Sequence, residues 1–240
     1  MKSIVILIYK FSVLTSFLVI ISERVIAQNH NTEFWGAYIN TTSITKNWKI
    51  WNDFHYVDNA FGLIRSGITY QTKSDYQFTA GYAYVKAATE KTNRLVRSEN
   101  RLWGQAIKKF SFNEKFEYIV RFRYDARSRQ SLNQNDEVIP DEKIFYHRFR
   151  LMQDLRFSLS QNTKEKYWHM DLINETLLNT GKQIENGLDQ TRSYLLAGFT
   201  HPNFTLLAGY HQRLTPSNSN NWTFNHGFTV WLIHSINLTQ

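Results

Sequence analysis

Residues 114–129 alternate without a break. The even positions read Phe116, Tyr118, Val120, Phe122, Tyr124 and Ala126, and the odd ones are mostly charged: Lys115, Glu117, Arg121, Arg123, Asp125, Arg127 and Arg129. A period of two puts all the arginines on one side of an extended chain, whereas a helix would scatter them around its circumference. This segment is therefore a strand with two unlike faces, and few folds can house such a strand.

The pattern recurs along the chain. In 145–159 Phe145, Phe149, Leu151, Leu155 and Phe157 oppose Arg148, Arg150, Asp154 and Arg156. In 167–178 Trp168, Met170 and Leu172 oppose His169, Asp171 and Glu175, and in 203–213 Phe204, Leu206, Ala208 and Tyr210 oppose Thr205, Gly209, His211 and Arg213. Eleven such segments are read, near 33–43, 47–58, 62–72, 75–86, 97–110, 114–129, 144–159, 166–179, 188–200, 203–213 and 222–238. All three prolines (Pro140, Pro202, Pro216) fall between segments, as strands that must keep their ladder hydrogen bonds require. Most segments reach ten residues. Soluble strands usually run about 5–6, and a strand crossing an outer membrane needs roughly 9–11. Tight turns ("TKSD", "SFNEK", "HPN") alternate with longer polar stretches around 87–96, 130–143, 180–187 and 214–221, the asymmetry of a barrel's two ends. The expected fold is all-β, a closed antiparallel transmembrane β-barrel of about 10–12 strands. An even strand number is expected of such a barrel, so eleven segments imply one strand too few or one too many, with the first two segments the weakest.

The start of the chain fits export. Lys2 precedes a mostly apolar run from Ile4 to Ile21, and "VIA" leads to Gln28. This is the form of a signal peptide over 1–27 cleaved after Ala27, and it is preferred to an uncleaved anchor because Lys10, Ser12, Thr15 and Ser16 interrupt the run. The remainder, 28–240, is one barrel domain. The leader takes Lys2, Lys10, Arg24 and Glu23 from the chain's 28 basic and 20 acidic residues, leaving 25 and 19. With no cysteine there are neither disulfides nor thiolate ligands.

Energetics assigns the faces. An arginine on the lipid side at the bilayer midplane costs about 2–4 kcal/mol. Arg121, Arg123 and Arg127 must therefore point into the lumen, and Phe116, Tyr118, Val120, Phe122 and Tyr124 toward lipid. In so narrow a lumen, long side chains of opposite charge should meet as bidentate pairs. Both a self-paired polar plug and a basic lumen that admits a small anionic solute remain open.

The motifs "ENRLWGQ" (Glu99, Arg101, Trp103, Gln105), "RFRYDAR" (Arg121, Arg123, Asp125, Arg127), "HRFR" (Arg148, Arg150), Asn174–Glu175 and "QTR" ending at Arg192, in that order, resemble the 2490 family of domains of unknown function. Gly81–Tyr82 and Gly209–Tyr210 match as well, and the resemblance spans about residues 33–235. It implies an exported Gram-negative protein forming a barrel in the cell outer membrane, with outer-membrane lipid as its partner, and it brings no established activity. Asp125 stands where the family more often has glutamate, so its arginine partner need not be the family's.

The site hypothesis is a lumenal charge network of Glu99, Arg101, Arg121, Arg123, Asp125, Arg127, Arg148, Arg150, Glu175 and Arg192. Replacing Arg123 by alanine would then leave an acid unpaired. Other functions fit less well. A lipid-acting enzyme needs a serine activated by a histidine on one face, and the adjacent His234–Ser235 point to opposite faces. A soluble ligand-binding barrel would bury the aromatics and wet the arginines. Nucleic-acid binding needs basic and aromatic residues on one shared surface, and here they are segregated. The eight scattered histidines lack metal-ligand spacing, so no cofactor, metal or catalytic residue is assigned.

Overall fold

The computed structural model describes residues 29–89, 92–159, 166–182, 184, 187–216 and 222–239. The leader expected over 1–27 lies outside the described residues. Eleven strands form the fold: β1 (Asn29–Ser43), β2 (Trp48–Val57), β3 (Phe61–Gln71), β4 (Tyr76–Thr89), β5 (Thr92–Ser111), β6 (Phe116–Leu132), β7 (Val138–Ser158), β8 (Tyr167–Thr180), β9 (Leu188–His201), β10 (Phe204–Pro216) and β11 (Trp222–Asn237). Each pairs with its sequence neighbours, and β1 pairs with β11 to close the barrel. Closure removes the exposed edge that a sheet of this length would otherwise present.

The strand count resolves the parity conflict. All eleven segments are strands, including the first two. A twelfth is unnecessary because β1 and β11 run parallel, from Asn29 opposite Thr223 to Ser43 opposite Asn237. The barrel is thus antiparallel at every seam but one. Even numbers are required only where every neighbour is antiparallel. With an odd number, the start of β1 and the end of β11 lie at opposite rims.

Two of the four expected long loops, 87–96 and 130–143, are largely strand. β4 and β5 extend to Thr89 and Thr92, and β6 and β7 to Leu132 and Val138, so both hairpins continue past the barrel wall. A bulge between Ala87 and Thr89, and another between Gln130 and Leu132, lets each ladder twist as it leaves the wall. A hairpin wet on both sides can be polar throughout, which is why its sequence reads as loop. Asn59, Asp75 and Asp136 supply the left-handed residue of three connections, with φ of 55°, 61° and 64°, a conformation that Asn and Asp tolerate better than branched residues.

Burial follows parity. Outward positions are exposed and apolar on strand after strand: Phe54 on β2, Ile64 and Ile68 on β3, Leu102 on β5, Phe122 on β6, Leu151 on β7, Trp168 on β8, Leu195 on β9 and Phe228 on β11. Tyr118 departs from the expected exposure. It is shielded by Phe110, 6.2 Å away between ring centres, and its hydroxyl donates to Gln153 at 2.7 Å. Inside, a cluster of Trp35, Val57, Ile173, Tyr194, Leu196 and Leu207 fills part of the lumen, with Phe61, Met152 and Trp231 packed on it. Trp35 is its hub, meeting Phe61, Tyr194 and His211 edge-on at 5.6–5.7 Å and donating its indole N–H to His55 at 3.1 Å.

The parallel seam depends on Gly227. A Cβ there would lie 1.7 Å from the Glu33 carbonyl oxygen of β1, whereas a Cβ on Gly104 would meet nothing nearer than 3.7 Å. Gly227→Ala is expected to destabilise the barrel by about 1–3 kcal/mol and Gly104→Ala to leave it unchanged. Thermal unfolding followed by circular dichroism checks both.

Candidate functional site: a basic vestibule

A cavity of about 800 Å³ occupies one end of the lumen. It reaches the rim made by the connections after β2 and β6, through Asn59, Ala60, Asn133 and Asp136, and its inner wall includes Trp35, Ile39, Trp51 and Trp231. No residue of the opposite rim's connections at 44–47, 72–75, 112–115 or 202–203 lines it. Toward that rim the interior is packed with polar side chains. Asp171 accepts a bidentate pair from Arg156 at 3.0 and 2.8 Å and lies 2.6 Å from His169 Nδ1, whose Nε2 is 3.1 Å from the Thr200 hydroxyl. His169 and Asp171 are fully buried. Among the described residues, those that line the cavity come from one rim and the middle of the wall.

Ion pairs divide the ten residues singled out in the sequence into groups. Glu99 on β5 is 1% exposed and holds three cations: Arg101 on its own strand, Arg127 and Arg129 on β6. Arg127 grips it with two nitrogens and also lies over the Tyr146 ring at 4.6 Å. A second group centres on Glu175 of β8, which accepts from Arg121 at 2.9 Å and Arg192 at 3.3 Å and has Arg150 at 3.8 Å. Arg150 joins it to Asp125 at 3.1 Å. Arg148 stands apart, pairing with Asp189 at 2.7 Å and donating to Asn179 at 3.0 Å.

Arg123 belongs to none of these groups. Among the described residues no carboxylate oxygen lies within 4 Å of it, its Nε and Nη2 are buried without a partner, and the residue is 1% exposed. The idea that its removal would orphan an acid is therefore wrong. The directly opposed residues explain why: Gln105 on β5 and Arg150 on β7, with Arg150 already committed to Asp125 and Glu175. What holds Arg123 is Trp103, whose ring centre is 4.3 Å from the guanidinium carbon, while Arg65 approaches the same ring at 5.3 Å. Trp103 in turn sits where the wall has no side chains. Gly81 opposes it on β4, Gly67 opposes Gly81 on β3, and a Cβ on Gly67 would come within 3.0 Å of the indole.

Three interior groups were not singled out from the sequence. Asp53 of β2 receives a bidentate Arg65 and the Trp51 indole N–H at 2.7 Å. Glu33 of β1 receives a bidentate Arg213 at 3.1 and 2.6 Å and lies 2.9 Å from His211. Asp189 is the partner of Arg148. The first pair had a signal: the tight turn at 58–60 puts Asp53 directly opposite Arg65.

A family model described as "Protein of unknown function (DUF2490)" matches residues 32–225. No curated protein and no solved structure matches the chain.

Glu99→Gln keeps the shape of the side chain but leaves three guanidinium groups around a neutral amide. Removing one partner of a buried pair typically costs about 3–5 kcal/mol. A loss of that size in urea unfolding is expected for Glu99→Gln, and none for exposed Glu114→Gln.

Proposed function

The chain belongs to the DUF2490 family of proteins of unknown function, and we propose that it is an integral outer-membrane β-barrel, closed internally by its own side chains and carrying a blind basic vestibule rather than an open pore. The observation that carries this reading is the inversion of burial. Ile64 and Leu102, pointing outward, are 63% and 66% exposed, while Arg123 and Arg127 inside are 1% and 2% exposed. Water is a poor solvent for such an exterior: monomeric soluble proteins rarely expose contiguous apolar patches beyond a few hundred Å². A bilayer inverts the preference, since apolar side chains gain by facing lipid and arginines there would cost about 2–4 kcal/mol each. Strands of 10 to 21 residues also suffice for the roughly 9–11 that a crossing needs.

The rivals fare worse on the same geometry. A soluble ligand carrier would keep its aromatics in the core, yet Phe54, Tyr82, Phe122 and Phe228 are all outside. A lipid-acting enzyme has no dyad at His234–Ser235: His234 Nδ1 bonds the Tyr38 hydroxyl at 3.0 Å, and Ser235 lies against Thr41 at 3.4 Å.

The membrane reading predicts that the protein fractionates with the outer membrane and shifts on a denaturing gel between unboiled and boiled samples. In planar bilayers it should give no steady single-channel conductance. Recovery in the soluble periplasm without a gel shift would refute the membrane barrel, and a stable conductance would refute the closed lumen.

A further inference from the structure

Arg123 is a cation fixed in the interior with no carboxylate oxygen within 4 Å among the described residues, and the acid it feels along its own strand, Asp125, is ion-paired to Arg150. It is stacked on Trp103, faces Arg150 across the ladder, and keeps two donor nitrogens unpartnered. An unpaired buried charge is among the most costly features a fold can carry. The vestibule repeats the imbalance on a larger scale. Eleven arginines line it against four acids, Glu99, Asp136, Glu175 and Asp189. Asp53, Asp125 and Glu33, which pair with Arg65, Arg150 and Arg213 from outside the cavity lining, raise the acids only to seven. Along the cavity lining donors are in excess too: Arg121 Nε, Arg127 Nη1 and the Trp231 indole N–H are buried without acceptors, whereas the unpartnered acceptors Gln105 Oε1 and Asp125 Oδ2 lie outside the lining. Water could accept these hydrogen bonds but would leave the charge uncompensated, whereas an anion answers both needs.

The rest of the wall describes the ligand's other end. Trp35, Trp51, Phe61 and Trp231 line the same cavity, and Trp51 and Phe61 pack on the cluster that contains Trp103. An apolar surface therefore lies beside the basic one, and about 800 Å³ is within the range of small-molecule sites. We propose that the vestibule binds a small organic anion, with its carboxylate or phosphate group at Arg123 and its apolar body against these rings. This deepens the reading above, resting on it for the closed barrel and vestibule but not for the membrane.

The test uses the full-length protein, shown to be folded by near-ultraviolet circular dichroism, in a neutral maltoside detergent or in buffer, whichever keeps it folded. Phenyl phosphate and benzoate are titrated against inorganic phosphate and neutral benzyl alcohol, reading tryptophan fluorescence and the unfolding midpoint. At least one of the two aryl anions should saturate and raise the midpoint. Inorganic phosphate should bind about tenfold or more weaker, and benzyl alcohol should do neither. Arg123→Gln should weaken the aryl anion at least about tenfold, the value of a charged hydrogen bond. Arg123→Met, without ligand, should unfold no earlier than the parent, because no acid is left unpaired.

A folded parent that responds to neither aryl anion overturns the proposal, whatever the variants do. Equal binding by Arg123→Gln overturns the assignment to Arg123, and equal binding of inorganic phosphate overturns the apolar subsite. A soluble, unshifted protein would refute the membrane reading alone, since this titration is scored on the folded cavity in either medium.

Discussion

A guanidinium group taken out of water must be met by something negative or aromatic, and the interior of this barrel is arranged around that need. Closing an eleven-stranded sheet turns one face of every strand inward, and on β5, β6 and β7 that face is rich in arginine. Glu99 and Glu175 are placed where several cations converge, and Asp53, Asp171 and Glu33 each receive a bidentate arginine. Trp103, Tyr146 and Trp35 take the flat faces of Arg123, Arg127 and Arg192. Apart from Arg101–Glu99 within β5, these ion pairs join different strands, and Glu175 gathers cations from three others, β6, β7 and β9, so the charges tie the strands of the wall together as well as neutralising one another. Buried ion pairs of this kind are weak sources of net stability, but breaking one is costly.

The aromatic cluster fills part of the lumen. Trp35 enters from β1 and contacts rings from β3, β9, β10 and β11. Packed tryptophan and tyrosine fill the space that a purely charged lumen would leave to water. The same parity that puts Arg65 inside on β3 puts Trp35 and Glu33 inside on β1, so apolar and ionic groups share the interior in layers. The small residues of the wall complete the arrangement: Gly67 makes room for Trp103, Gly81 lets β4 lie close against the backbone of β3, and Trp103 carries Arg123.

Much of this was legible from the alternation alone. The facing of Phe122, Leu151 and Trp168 follows from parity, and the tight turn at 58–60 sets Asp53 against Arg65. The parallel closure of β1 on β11 was not legible, because it joins residues about 190 positions apart and leaves no local trace. The extended β4–β5 and β6–β7 hairpins were misread as loops because strands wet on both sides lose the alternation. Arg123 sits in the same pattern as its paired neighbours. Its lack of an acid depends on which carboxylate each arginine reaches across and along the strands, and spacing does not encode that. The aromatic hub at Trp35 was missed because the first segment carries large apolar residues on both faces, Phe34 and Tyr38 outward and Trp35 and Ile39 inward, so its parity is hidden.

If the apolar face of these strands meets lipid while the arginines are inside, site-directed spin labelling of the two faces will separate them. The chain has no cysteine of its own, so single cysteines can be placed at outward Ile64, Leu102, Phe122 and Leu195, at inward Ala83, Leu196 and Thr229, and at Asn113 in an exposed turn. With the protein in liposomes, nitroxides at the four outward sites should collide readily with oxygen and hardly at all with a water-soluble nickel complex. The inward sites should be shielded from both, and Asn113 should be open to nickel. Outward labels as accessible to nickel as the one at Asn113 would put the apolar face in water and rule out the membrane barrel.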